Sequence, residues 1–148
     1  SRKSDTSKTA FKTMLKKRQK LKTDDRTYSY AIIEKKSGKM VGMIMAMDVV
    51  RRITQSAFLG YALFNPFWGK GYMQEAIKEF YQIAFKKLKR HRLQAGIEPR
   101  NKRSHNVVKA LGFRKEGVSK RIVFLRNEWR DLVQYAITSE EVGIKFKD

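Results

Sequence analysis

Asn65 to Glu75 reads N-P-F-W-G-K-G-Y-M-Q-E, and the reading of this stretch decides the fold. Ahead of it, Ala57 to Phe64 (A-F-L-G-Y-A-L-F) has the apolar and aromatic content of a buried strand. Behind it, Met73, Ala76, Ile77, Phe80, Ala84 and Leu88 recur at steps of three and four, which predicts a helix with one apolar face. Pro66, Gly69 and Gly71 mark the junction. Glycines there permit a tight turn and leave no Cβ between the backbone amides and a ligand. The first amides of a helix have no partner within it, and the helix dipole adds partial positive charge. Strand, Gly-x-Gly turn and helix start together make a place for a pyrophosphate. A Gly-x-Gly at a helix start also serves as a plain tight turn, so the motif alone leaves both readings open.

Two familiar phosphate loops do not fit. No Gly-Lys-Ser/Thr follows a four-residue spacer, so this is not a Walker loop. Gln74 stands where a dinucleotide fingerprint has its third glycine or alanine, and the preceding strands do not read as all-parallel. A different phosphate-bearing cofactor is required.

The segment Gly60 to Ile137 resembles the GNAT-superfamily N-acetyltransferases, in particular the branch of the ribosomal-protein-alanine acetyltransferases. The matching pieces are G-Y-A-L-F-N-P-F-W-G-K-G-Y-M-Q-E-A from Gly60, H-R-L from His91, N-K-R-S from Asn101, L-G-F-R-K-E-G from Leu111 and W-R-D from Trp129. Their order and spacing both agree with the family. Tyr28 to Val50 matches more weakly, as the preceding hairpin. The resemblance implies an α/β (α+β) GNAT fold: a mixed central sheet, splayed near its middle strands, with helices on both faces. It also implies acetyl-CoA as cofactor and a primary amine as acceptor.

Length and composition bound the rest. The 148 residues suit one domain: a basic, helical segment over 1–27, a core over 28–138 and a tail over 139–148. With no cysteine, disulfides, thiolate catalysis and Cys-rich zinc sites are excluded. Two histidines, His91 and His105, do not make a structural zinc site, so no metal is expected. No apolar run approaches the roughly 18 residues of a membrane span, and no signal-peptide core is visible. The expectation is a cytoplasmic protein without a membrane partner, acting as a monomer or homodimer.

Charge is the loudest feature: 34 Lys+Arg against 14 Asp+Glu give +20. Basic residues cluster at Lys16-Lys17-Arg18, Lys86-Lys87-Lys89-Arg90-Arg92 and Arg100-Lys102-Arg103. Such a field attracts polyanions, so ribosome or RNA association is one reading, and a solvated basic surface is the other.

Taken in order, Phe11, Met14 and Leu21 form a thin apolar stripe that predicts a helix over Thr9 to Leu21. The family's usual first strand is not evident there. Tyr28 to Glu34 alternates as a strand, Ser37-Gly38 marks a turn, and Met40 to Val50 returns as a second strand. Its Val41, Met43, Met45 and Met47 share a face, expected to pack in the core. His91 to Glu98 is the next strand, and Asn101 to Leu111 a helix stopped by Gly112. Val118 to Leu125 and Glu128 to Thr138 close the chain as a hairpin across Arg126-Asn127.

The resemblance also assigns roles. Backbone amides of Trp68, Gly69, Lys70, Gly71, Tyr72 and Met73 would bind the pyrophosphate, and the pantetheine arm would run beside Leu63 and Phe64. The Phe64 amide would polarise the thioester carbonyl. Asn101 would hydrogen-bond the coenzyme or acceptor, and Ser104 would give a proton to the departing thiolate. Asn101-x-x-Ser104 reads equally well as a helix cap. Many relatives place an acidic tyrosine where this chain has Val108, which moves that role to Ser104. Glu75 reads as a first-turn dipole partner.

The general base is less well marked. Relatives often carry a carboxylate where this chain has Phe58, leaving Asp48 and Glu98 as the nearest replacements. Deprotonating a lysine at pH 7 costs about 4.6 kcal/mol, whereas a chain α-amine costs only about 1. A site without a strong base therefore favours a protein N-terminus. The alternatives are a small amine, such as an antibiotic or polyamine, and a non-catalytic module of the same fold that binds nucleic acid or ribosomes.

Overall fold

The computed structural model describes residues 12–18 and 26–147, and among them seven strands form one mixed sheet. They are β1 (Thr13–Lys17), β2 (Tyr28–Glu34), β3 (Met40–Met47), β4 (Ser56–Leu63), β5 (Arg92–Ile97), β6 (Arg114–Leu125) and β7 (Glu128–Thr138). Their order across the sheet is β1-β2-β3-β4-β5-β7-β6. Only β4 and β5 run parallel; the other neighbours are antiparallel. A parallel pair needs a crossover, and the central helix α1 (Tyr72–Tyr81) supplies it, running on as a π-helical turn over Gln82–Lys87.

All six residues of the expected apolar stripe, Met73 through Leu88, are buried. Phe80 is sealed completely and meets Tyr30 of β2 edge-to-face, ring centroids 5.7 Å apart. Burying such a side chain is worth about 1.5–3 kcal/mol, so this face pins the helix to the sheet. The second helix, α2 (Lys102–Ala110), ends as its sequence dictates. Gly112 takes φ 87° and the Phe113 amide reaches back to the Val108 carbonyl at 3.0 Å, a left-handed stop.

Two expectations need correction. The helix expected over Thr9 to Leu21 is not formed in its described part. Thr13–Lys17 is a strand, the edge strand β1, paired antiparallel with β2; residues 9–11 and 19–21 lie outside the described residues. A strand thus does precede the hairpin. Thr13 is wholly buried and Met14 is half exposed, a period of two that the helical stripe obscures.

The second correction concerns β3. Ile44 and Ala46 are the wholly buried residues of its middle, whereas Met43, Met45 and Met47 are half-buried on the opposite face. Val41 is buried as well, because pairing slips where Ile32 faces Gly42 and Ile33 faces Met40. That bulge changes the facing of the chain on its two sides, so Val41 and the methionines do not form one stripe.

Past the parallel pairs Ser56–Arg92, Ala57–Leu93 and Phe58–Gln94, no further residues of β4 and β5 pair. The sheet opens into a cleft there. The hairpin turn Arg126-Asn127 takes φ of 51° and 61°, the left-handed pair a tight two-residue hairpin demands. Along β6 the register slips twice, near Gly117 and again between Ser119 and Val123. Inside the second slip, Arg121 has φ 49° and its amide donates to Asp131 at 2.8 Å.

Candidate active site

The turn from β4 into α1 passes through a short 3-10 helix at Asn65–Phe67 and then Gly69 (φ 81°) and Gly71 (φ 77°). Gly71 is the N-cap of α1, and no side chain caps the helix. A Cβ built at either glycine would meet nothing within 4 Å, so the backbone there lies open on its outer side. Beside it is a cavity of about 350 Å³ lined by Trp68, Gly69, Gly71, Gln74, Arg103 and Asn106, with Val107. Helix-start amides, an open glycine turn and an adjacent guanidinium suit a doubly charged phosphate group.

Gln74, Arg103 and Asn106 are not among the site residues expected from the sequence. Arg103 sits in the first turn of α2, its guanidinium carbon 5.4 Å from the centre of the Trp68 ring. Arg103, Asn106 and Val107 share one helix face by their three- and four-residue spacing, and this is the signal that marks them. Lys70 stands over the Phe67 ring, its ammonium 5.9 Å from the centroid. Tyr72 stacks on Phe67 at 6.0 Å and gives its hydroxyl to Glu34, while the Met73 side chain is in the core. Tyr72 and Met73 therefore face the turn with backbone only.

Leu63 and Phe64 lie where the sheet opens, but the role expected of the Phe64 amide is overturned by its partner. It donates to the Val41 carbonyl at 2.8 Å, so it points at β3 and away from the cleft. With Leu63 opposite Gly42 and Tyr61 opposite Ile44, the alternation of an antiparallel ladder turns the Leu63 and Tyr61 amides the other way. That edge faces β5, where the strands have parted. The pleat thus exchanges Phe64 for Leu63.

Asn101 and Ser104 come together at the cleft. A cavity of about 250 Å³ is lined by Tyr61 and Gly60 of β4, Glu98 at the end of β5, Asn101 and Ser104 of the α2 start, and Leu125 and Leu132 of the closing hairpin among others. Asn101 is also the cap of α2, its Oδ1 accepting from the Ser104 amide at 3.3 Å. Ser104 is 8% exposed. Burial pushes the Tyr61 phenol up, and Ser104 beside it partly offsets this, although no aligned hydrogen bond joins the two.

His105 fixes that corner, a role not read from the sequence. Its Nε2 lies 3.0 Å from the Glu98 carbonyl oxygen, a pure acceptor, so in the neutral ring Nε2 carries the proton. Nδ1 then accepts from the Tyr135 hydroxyl at 2.7 Å. One imidazole thereby ties α2 to the end of β5 and to Tyr135 within β7.

Neither replacement base is suited to the work. Hydrogen bonds from Arg126, with Arg130 adding charge, hold the Glu98 carboxyl below its ordinary range. Asp48 is exposed in a left-handed turn, and it does not line the cavity beside Ser104. Among the described residues, no group of three or more acidic or histidine side chains is placed to hold a metal. No helix there is long and apolar enough to cross a membrane.

Comparisons with known proteins agree with this geometry. A model of the acetyltransferase (GNAT) domain matches residues 2–114. The chain is 34% identical over 117 residues to YjcK of Bacillus subtilis (strain 168), a probable N-acetyltransferase, covering 79% of this chain and 65% of that one. It is 30% identical over 114 residues to the [ribosomal protein uS5]-alanine N-acetyltransferase of Escherichia coli (strain K12), covering 77% and 59% respectively. The chain therefore spans less than two thirds of the length of these curated relatives. Mycobacterium smegmatis RimJ, solved in complex with CoA-disulfide, superposes with a TM-score of 0.75 at 30% identity, covering 80% of this chain and 56% of that one. A spermidine N-acetyltransferase chimera of Vibrio cholerae origin, 17% identical at a TM-score of 0.72, shares the fold.

Proposed function

The chain belongs to the GNAT acetyltransferases, and from that premise we propose that it transfers an acetyl group from acetyl-coenzyme A to a protein N-terminal α-amine of the ribosomal-protein type. The observation that carries this reading is the parting of β4 and β5 beyond Phe58 and Gln94, with Asn101 and Ser104 at the gap and the open glycine turn at its end. The residues fit the donor: the left-handed turn at Gly69 and Gly71 leaves open the space that a side chain would occupy. When bound, acetyl-coenzyme A supplies an activated acetyl group as a thioester.

In this reading the amides from Trp68 to Met73, with Arg103, hold the pyrophosphate. The Leu63 amide, on the strand edge facing the gap, polarises the carbonyl in the role first expected of Phe64. Asn101 hydrogen-bonds coenzyme or acceptor while capping α2. Ser104 holds the proton that the thiolate takes on leaving. With Glu98 engaged by two arginines, the amine must arrive neutral, which costs about 1 kcal/mol for an α-amine and about 4.6 for a lysine. A polyamine acceptor is further opposed by the +20 charge of the chain.

A ribosomal setting has its own support. Gln82, Lys86 and Lys89 face Lys145 and Lys147 across a groove of about 830 Å³ that no acidic residue lines. Ordered phosphates of RNA fit such a row of ammonium groups. The test of the function is direct: incubate the protein with acetyl-CoA and peptides bearing ribosomal-protein N-termini, lysine peptides or spermidine, and measure free coenzyme A. Faster release with α-amine peptides supports the proposal. Preference for spermidine or lysine overturns the acceptor, and no release with any acceptor overturns the activity.

A further inference from the structure

Four side-chain polar atoms among the described residues are buried without a hydrogen-bond partner: the hydroxyls of Tyr30, Tyr61 and Tyr81, and Gln134 Oε1. Only Tyr61 belongs to a residue that lines the cavity beside Ser104. Buried polar groups in folded proteins are nearly always satisfied, and an exception calls for a reason. Tyr61 enters from β4, across the gap from α2, where Val108 is wholly buried and carries no proton to give. Ser104 lines the same cavity as Tyr61, and its hydroxyl turns about a single bond, so it can be brought to face the phenol.

We infer that Tyr61 is the second member of a proton relay that acts through Ser104. The inference rests on the acetyl-transfer reading above. As the amine nitrogen bonds to the acetyl carbon, the carbon–sulfur bond breaks and its electron pair leaves on sulfur. Ser104 Oγ–H passes its proton to that sulfur, and Tyr61 Oη–H passes its own to Ser104 Oγ. The Tyr61 phenolate then takes, through a water, the proton that the acylated nitrogen sheds. One proton has moved from nitrogen to sulfur, and both hydroxyls are restored. A serine alkoxide is too basic to be left without a donor, which is why a lone Ser104 makes a poor acid. A phenol pushed up by burial stays protonated at rest and is strongly basic for the moment it is ionised.

The test uses Tyr61→Phe, which keeps the ring and removes the oxygen. Its kcat should fall roughly tenfold to a hundredfold with coenzyme A affinity by calorimetry unchanged. In a Ser104→Ala background the same change should have almost no further effect, because the relay is already broken. Equal effects in both backgrounds, or wild-type kcat in Tyr61→Phe, would overturn the relay and leave the acetyltransferase reading intact. A second readout needs no turnover. With tyrosine labelled with ¹³C at Cζ, the Tyr61 signal, identified by its loss in Tyr61→Phe, should shift when Ser104 becomes alanine. An unmoved signal overturns the relay whatever the activity. Absence of turnover by the unaltered protein on every acceptor overturns both readings together.

Discussion

The carboxylate of Glu75 holds Thr13 across 62 residues of chain: the threonine hydroxyl donates to Oε2 at 2.8 Å, and the Lys12 amide meets Oε1 at 2.6 Å. Glu75 lies in the first turn of α1, the helix that begins at the glycine turn. The edge strand is therefore bolted to the element that frames the site. Thr13 is wholly buried, so removing its acceptor strands a hydroxyl. Glu75→Ala should lower the unfolding free energy by about 1–3 kcal/mol in urea titrations, with Glu75→Gln intermediate. An unchanged midpoint would mean that β1 is held by its pairing with β2 alone.

Gly71→Val forces a β-branched residue to φ near 77°. That strain costs about 1–3 kcal/mol and moves the helix-start amides. Coenzyme A affinity by calorimetry should fall more than about tenfold while the circular dichroism of the fold persists, since 1.4 kcal/mol is a factor of ten. Unaltered affinity would remove the pyrophosphate from this turn.

Ser104→Ala should lower kcat by roughly tenfold to a hundredfold and leave coenzyme affinity nearly unchanged. Its stability cost should stay under about 1 kcal/mol, because the Asn101 side chain makes the cap to a backbone amide that alanine retains. Wild-type turnover in this variant would make the serine structural.

How much of this was legible depends on where the stabilising partner lies. The bounds of β2 and β7 match the alternation expected for them, since their turns at Gly38 and Arg126-Asn127 are local signals. The stripe of α1 was equally plain. By contrast β1 is five residues of mixed polarity whose partners, β2 and Glu75, come from elsewhere in the chain. Tertiary contacts override the weak helical spacing of Phe11, Met14 and Leu21. At the site, Asn101 and Ser104 announce themselves through the cap, and the glycines through their spacing. The facing of Phe64 was hidden, because a strand apolar on both sides does not display which amides point to which neighbour. Tyr61 and His105 were hidden for a simpler reason: their partners sit on other elements.

Glu79 sits one turn beyond Glu75 in α1, and burial, with the like charge of Glu75, pushes its carboxyl up to about 7 against a smaller opposing pull from Lys35. A carboxyl raised on folding favours the protonated state. Its destabilisation is absent below the unfolded value of 4.5, grows as pH rises toward 7, and is constant above that. Glu79→Gln should therefore stabilise the protein at pH 8 by about 1 kcal/mol, a figure discounted for half exposure, and by nothing near pH 4.5. Urea titrations at the two pH values check it; a gain that is the same at both would deny the raised carboxyl.

Replacing Lys86, Lys89, Lys145 and Lys147 together with alanine should flatten the salt dependence of RNA hairpin binding. The slope of log K against log salt should shrink by about 3, since each phosphate contact carries close to one released counterion. The same change at four lysines that do not line the groove, Lys35, Lys36, Lys39 and Lys115, is the comparison. Equal losses in both sets would assign the binding to overall charge.

The two slips along β6 have a bearing on how molecules of this protein meet one another. β6 is the outer strand at its side of the sheet, 12 residues long, and it exposes Val118, Ile122, Phe124 and Leu125 beside Trp129 of β7. An unbroken edge of that length and character would template a further strand from a neighbour and invite stacking into fibrils. The left-handed Arg121, its amide committed to Asp131, breaks the row of outward hydrogen-bonding groups, and Arg121 puts a positive charge beside the Lys120–Asp131 ion pair in the gap. A crowded solution of this chain thus meets an interrupted, positively charged border where a sticky one would otherwise be.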